Sequence, residues 1–176
     1  MTNRLPVDFP RTRGAYVRMT GAVRDLADSL PGGVKAFSAP TYLCAVLYVA
    51  SVAALLLRRD ARVVRALLVP AACFLVATVL RPMIGRTRPY DRFDAPPVGR
   101  YKRGKGRSMP SRHAASAAAI ACAVIYAFPG TLSCVCMVAL SVLIAALRVL
   151  TGQHYLNDAI CAIAMSFILS LIGYTI

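Results

Sequence analysis

The chain is poor in acid. Its 176 residues carry seven acidic side chains, all aspartate, against 21 lysines and arginines, a formal charge of +14. Histidine is scarcer still, at two residues, and tryptophan is absent. No set of aspartates and histidines offers a complete metal-ligand group, so no resident metal or other cofactor is expected. The six cysteines (Cys44, Cys73, Cys122, Cys134, Cys136, Cys161) fall inside apolar segments. They form no CxxC pair and lack His or acidic partners at ligand spacing, so they read as small buried hydrophobes. The first 35 residues hold no apolar run of the kind that opens a secretory signal.

Apolar residues, by contrast, are plentiful. The chain is 58% hydrophobic with a mean hydropathy of +0.61, beyond the roughly 45–50% of soluble domains. In a soluble protein the excess positive charge would point to nucleic acid. Between membrane spans it faces lipid headgroups or an anionic substrate instead, so nucleic acid is not an expected partner.

Hydropathy divides the chain into about five spans, and the expected fold is all-α, a polytopic membrane helix bundle. Residues 1–13 read as a flexible or surface tail. Residues 14–30 carry Met19, Val23, Leu26 and Leu30 at helical spacing with charges between them, the pattern of an amphipathic helix lying in the interface. Spans are expected at 38–57, 63–80, 113–128, 131–150 and 155–176, each near the length a bilayer core of about 30 Å requires. Arg81-Pro82 is expected to end the second. A long polar segment, 81–112, carries ten lysines and arginines, and loops of that length are commonly functional. Five spans bring 81–113 and 148–158 to the membrane face that also holds the N-terminus; 58–65, the 129–130 turn and the C-terminus lie opposite.

Both histidines sit at the first of these faces. His154 and Asp158, four apart, would share one side of a helix. There the carboxylate can fix the imidazole tautomer and leave the other ring nitrogen nucleophilic. An interfacial histidine merely held by a nearby aspartate is the blander alternative. Ser111 reads as the N-cap of the third span, opening backbone N–H groups toward an anion, with His113 just inside as a proton donor. Arg81, Arg86 and Arg88 read as ordinary interface anchors or as phosphate ligands, and the run Lys102, Arg103, Lys105, Arg107 as headgroup-facing charge or a substrate attractor.

Taken in order, the clusters are more specific than any one of them. The chain reads Arg81-(six residues)-Arg88-Pro89, then Pro110-Ser111-Arg112-His113, then Arg148-(five residues)-His154-(three residues)-Asp158. This resembles the three-part signature of the type 2 phosphatidic acid phosphatase (PAP2) superfamily, K-x6-RP, PSGH and SR-x5-H-x3-D, over residues from about 63 onward. Three positions depart: Arg81 stands for lysine, Arg112 for glycine and Leu147 for serine.

The resemblance implies a single membrane-embedded domain, with 1–37 as tail and interfacial helix and 38–176 as transmembrane catalytic core. It implies a metal-independent lipid phosphatase of the cell membrane with its site on the extracytoplasmic face. By it, His154 is the nucleophile and forms a phosphohistidine, Asp158 orients it, and His113 is the acid. Arg81, Arg88, Ser111, Arg112 and Arg148 would hold phosphoryl oxygens. The substrate it implies is a lipid phosphate or diphosphate, a polyprenyl diphosphate such as undecaprenyl diphosphate or a phosphatidate-type lipid, met among membrane lipids. A lipid phosphotransferase and a non-catalytic lipid-binding or transport protein remain the alternatives.

Overall fold

The computed structural model describes residues 8–101 and 107–176. Those residues form helices α1 (Arg13–Ser29), α2 (Ala39–Leu57), α3 (Arg62–Ile84), α4 (Pro89–Phe93), α5 (Arg112–Ala127), α6 (Thr131–Leu150) and α7 (Leu156–Thr175), with a 3-10 turn at Gly33–Ser38 leading into α2. Four stretches, Gly33–Leu57, Arg62–Phe93, Thr131–Leu150 and Leu156–Thr175, are long and apolar enough to cross a membrane, and the shorter apolar helix Arg112–Ala127 joins them. The chain is a multi-pass membrane helix bundle.

The short helix is the centre of it. α5 packs against α2, α3, α6 and α7. Its 16 residues reach only about 24 Å at 1.5 Å per residue, short for a lipid-facing span, but the neighbours surround it. Alanine makes this possible: Ala114, Ala115, Ala117, Ala118, Ala119, Ala121 and Ala123 are all buried, and side chains this small let backbones approach closely.

Two prolines lie inside α3, at Pro70 and Pro82. Each lacks an N–H and so frees a carbonyl one turn back. For Pro70 that carbonyl belongs to Ala66, and the Tyr48 hydroxyl of α2 donates to it at 3.0 Å, as the dry interior of a membrane demands. Pro82 does not end the helix as the sequence suggested. α3 runs on to Ile84 and stops at Gly85, which takes a left-handed φ of 61°. The extra turn carries Arg81 within the helix and sends Arg86 and Arg88 back over its end.

The N-terminal stretch also differs from its reading as a surface tail. Asp8 and Pro10 are buried, and Phe9 accepts a hydrogen bond from the Leu156 N–H at 3.2 Å. α1 is capped by Thr12, whose hydroxyl accepts from Ala15 N–H. It turns Tyr16 inward against Phe93, ring centroids 5.4 Å apart, and Arg13 donates to the Phe93 carbonyl at 3.1 Å. On the opposite face Arg65 donates to the Ile176 carbonyl at 3.0 Å, so the start of α3 and the C-terminus share that side.

Candidate active site

The site assembles where four chain segments converge at one end of the bundle. The first is the turn between α6 and α7. Gly152 there has a φ of +75°, and the Tyr16 hydroxyl of α1 contacts its carbonyl at 3.4 Å. The N–H groups of Gln153 and His154 both donate to the Arg148 carbonyl at 3.1 Å, which folds the histidine back over the end of α6.

His154 and Asp158 meet, but not as two residues on one helical face. His154 precedes α7, whose N-cap is Tyr155, and Asp158 is its third helical residue. The Asp158 carboxylate reaches back to the N-cap and accepts from Tyr155 N–H at 2.9 Å, the usual role of an acid at that position. The same Oδ2 lies 3.6 Å from His154 Nδ1. That is a loose contact, and such pairs tighten when charge develops on the ring. Both residues are buried. Burial, above all, holds His154 below its ordinary pKa of 6.5; the nearby Asp158 carboxylate opposes this, while Arg88 and Arg81 add to it.

The second segment is the end of α3 and the turn after it, which supplies Arg81, Arg86 and Arg88. The third, residues 107–111, supplies Ser108 and Ser111. The Ser108 hydroxyl donates to Asp158 Oδ2 and lies 3.5 Å from His154 Nδ1. Ser111 is the α5 N-cap, as its sequence context suggested: its hydroxyl faces Ala114 N–H at 3.5 Å and its own N–H donates to the Asp158 carbonyl at 3.0 Å. The fourth segment is the start of α5, with Arg112 and His113.

A cavity of about 1440 Å³ opens here, and Arg81, Arg88, Arg112, His113 and Arg148 all line it. His154, Asp158 and Ser111 are buried and do not line it. Arg81 donates to the Arg107 carbonyl, and Arg88 reaches Gln153 Oε1 at 3.4 Å. An adjoining cleft of about 360 Å³ is apolar, lined by Cys44, Ala45, Phe74, Ala117 and Ile120 between α2, α3 and α5; Arg112 and His113 border both spaces. Every expected site residue therefore lies at one end of the bundle. Lys102, Arg103 and Lys105 fall outside the described residues, whereas Arg107 lines the cavity.

Sequence reasoning missed three participants. Arg86, grouped with the interface anchors, is buried and donates to Asp158 Oδ1 at 2.6 Å. Ser108 sits on the same carboxylate. Asp8 pairs with Arg86 from the N-terminal stretch. Only Arg86 carried a signal, its place between two motif arginines.

A family model for the PAP2 superfamily matches residues 62–176, and the chain belongs to that superfamily. It is an enzyme of the phosphatase class set in the membrane. Two solved structures share the fold. A transmembrane PAP2-type phosphatidylglycerolphosphate phosphatase from Bacillus subtilis is 21% identical, with a TM-score of 0.69 over 93% of this chain and 84% of that one. LpxE of Aquifex aeolicus is 17% identical, with a TM-score of 0.68 over 98% and 100%. No curated protein sequence matches the chain.

Proposed function

We propose that the chain is a metal-independent lipid phosphate or diphosphate phosphatase that works through a phosphohistidine at His154. One observation carries this reading. A cavity lined by six arginines and His113 opens at the end of the bundle that buries the His154–Asp158 pair, and it shares Arg112 and His113 with an apolar cleft. Fixed guanidinium groups match the oxygens of a phosphoryl group and the charge of its transition state, and the cleft suits the first carbons of a lipid tail.

The chemistry follows from the ring. Asp158 faces Nδ1, which leaves Nε2 as the attacking atom. The lone pair of Nε2 forms a bond to phosphorus as the bond from phosphorus to the leaving oxygen breaks, and His113 gives that oxygen a proton. Water then attacks the phosphohistidine, losing a proton to His113, and phosphate leaves with His154 restored. Arg81, Arg88, Arg112 and Arg148 hold the oxygens, and the N-terminus of α5 behind Ser111 adds its N–H dipoles.

The substrate class is a polyprenyl diphosphate or a phosphatidate-type lipid, including phosphatidylglycerol phosphate, the substrate named for the Bacillus subtilis relative. The site faces the extracytoplasmic side of the cell membrane. The basic turn at 58–65 is then cytoplasmic, in keeping with the positive-inside rule.

Phosphate release from purified protein tests this, using phosphatidic acid, phosphatidylglycerol phosphate and a polyprenyl diphosphate, each with EDTA present. Turnover of at least one that persists in EDTA and vanishes in His154→Ala is the expected outcome. Loss on chelation, restored by Mg²⁺, overturns the metal-free reading. Transfer of phosphate to an added lipid alcohol without free phosphate favours a phosphotransferase. Reporter fusions at residues 60 and 104 check the orientation.

A further inference from the structure

Behind the catalytic pair lies a chain of charges that the reaction does not itself touch. Arg86 is buried and lies over the Tyr155 ring, its guanidinium carbon 4.3 Å from the ring centroid. One of its nitrogens donates to Asp158 Oδ1 at 2.6 Å; the other donates to Asp8 Oδ1, and Asp8 is buried as well. The second Asp8 oxygen lies 3.9 Å from Arg92 of α4. The chain just after Asp8 is fixed to the base of α7, because Phe9 accepts from Leu156 N–H at 3.2 Å. The N-terminal stretch is thus pinned at the point where α7 begins, two residues from His154.

We infer that Asp8 and Arg86 form a positioning pair that sets how much negative charge Asp158 presents to His154. The physical case is one of sharing. Asp158 Oδ2 serves His154, Tyr155 N–H and Ser108, while Oδ1 is given to Arg86. A buried arginine bound only to Asp158 would draw strongly on that carboxylate and leave an uncompensated cation in the site if Asp158 moved. Asp8 takes half of the arginine's fork, so the cation is divided between two carboxylates and Asp158 keeps more of its charge for the imidazole. Because Arg86 is planar and held on both sides, it also fixes the angle at which Asp158 meets the ring.

This rests on the proposed role of His154 as nucleophile, and it has an electrostatic sign. The groups facing His154 are Asp158 on α7, Arg81 and Arg88 from the α3–α4 segment, His113 on α5 and the Ser108 hydroxyl. Of these, Asp158 favours the imidazolium and the cations oppose it. Removing the charge of Asp8 releases Arg86 to Asp158 entirely, so His154 becomes less basic. Removing the charge of Arg86 frees Asp158, so His154 becomes more basic.

The test is the pH dependence of kcat for phosphate release from phosphatidic acid and from farnesyl diphosphate in detergent micelles. In Asp8→Asn the acid limb moves to lower pH, by roughly 0.5–1 unit, less than the 1–3 units of a direct charge contact. In Arg86→Gln it moves to higher pH, and in Arg86→Lys it stays nearer the wild-type position. Asp8→Glu, which keeps the charge, leaves the limb in place. A purely structural role would lower the melting temperature or kcat in all four without moving the limbs in opposite directions, and that result overturns the proposal. If Arg86→Gln does not fold, the comparison of Asp8→Asn with Asp8→Glu decides: an unmoved limb in Asp8→Asn overturns it. A His154→Ala protein that still turns over either lipid refutes the nucleophile assignment instead, and is read separately.

Discussion

Gly152 is the position where a single methyl group tests how the turn that carries His154 is held. A Cβ there would meet the Tyr16 hydroxyl at 2.5 Å, Thr20 Cγ2 at 2.8 Å and Tyr16 Cε2 at 2.8 Å, on a backbone with φ of +75°. Tyr16 cannot retreat, since it is fully buried against Phe93. The left-handed conformation costs a residue with a Cβ about 1–2 kcal/mol, and overpacking costs about 1–3 kcal/mol. Gly152→Ala is therefore expected to destabilise by roughly 2–5 kcal/mol. Because the turn carries His154, kcat should fall while KM changes little. Melting in detergent and phosphate release measure the two effects. Measured against Tyr16→Ala alone, Gly152→Ala should lose the part of its cost that Tyr16 imposes and keep the parts due to Thr20 and to the backbone. Gly173→Ala is the control, for its Cβ would meet Val69 Cγ2 at 2.6 Å within regular helix far from the site. It should lower stability by about 1–3 kcal/mol with kcat of the folded protein kept. A Gly152→Ala enzyme with wild-type melting and wild-type kcat would refute the reasoning.

Other expectations follow from the same contacts. Asp158→Ala leaves Tyr155 N–H and the Ser108 hydroxyl without their acceptor and Arg86 with Asp8 alone; because Asp8 still compensates the arginine, the cost should fall below the about 3–5 kcal/mol of a fully broken buried pair, which thermal melting will register beside the loss of turnover. Tyr48→Phe leaves the carbonyl opposite Pro70 without its donor and should cost about 1 kcal/mol with turnover unaffected. His154 has its pKa lowered from 6.5 by burial, so between its folded value and 6.5 the unfolded chain binds the proton and the folded one does not. The contribution of His154 to stability is then complete above 6.5 and declines as pH falls below it. Melting temperatures of the wild type and His154→Gln between about pH 5 and 8 should diverge on that pattern.

The candidate site was legible in the sequence where chemistry and spacing coincide. Arg88, His113, Arg148, His154 and Asp158 stand at fixed intervals around apolar spans, and helix boundaries alone bring them to one face. The reason His154 meets Asp158 was not legible. Spacing of four suggests one helical face, whereas the aspartate caps the start of α7 and the histidine lies outside it. Pro82 also misled: a proline removes a single helical hydrogen bond, and α3 runs two residues past it before the left-handed Gly85 ends the helix. Asp8 and Arg86 were hidden for a different cause: their partnership joins residues 78 apart in sequence, and no local pattern marks a contact made by folding alone.

The most direct test of the account is capture of the covalent intermediate. Purified protein mixed briefly with a ³²P-labelled lipid phosphate and quenched in alkali should carry label that is stable to base and lost in acid, as a phosphohistidine is. His113→Ala should still take up label if the leaving group is activated, and His154→Ala should take up none. Label that survives acid, or label retained in His154→Ala, would contradict the central claim.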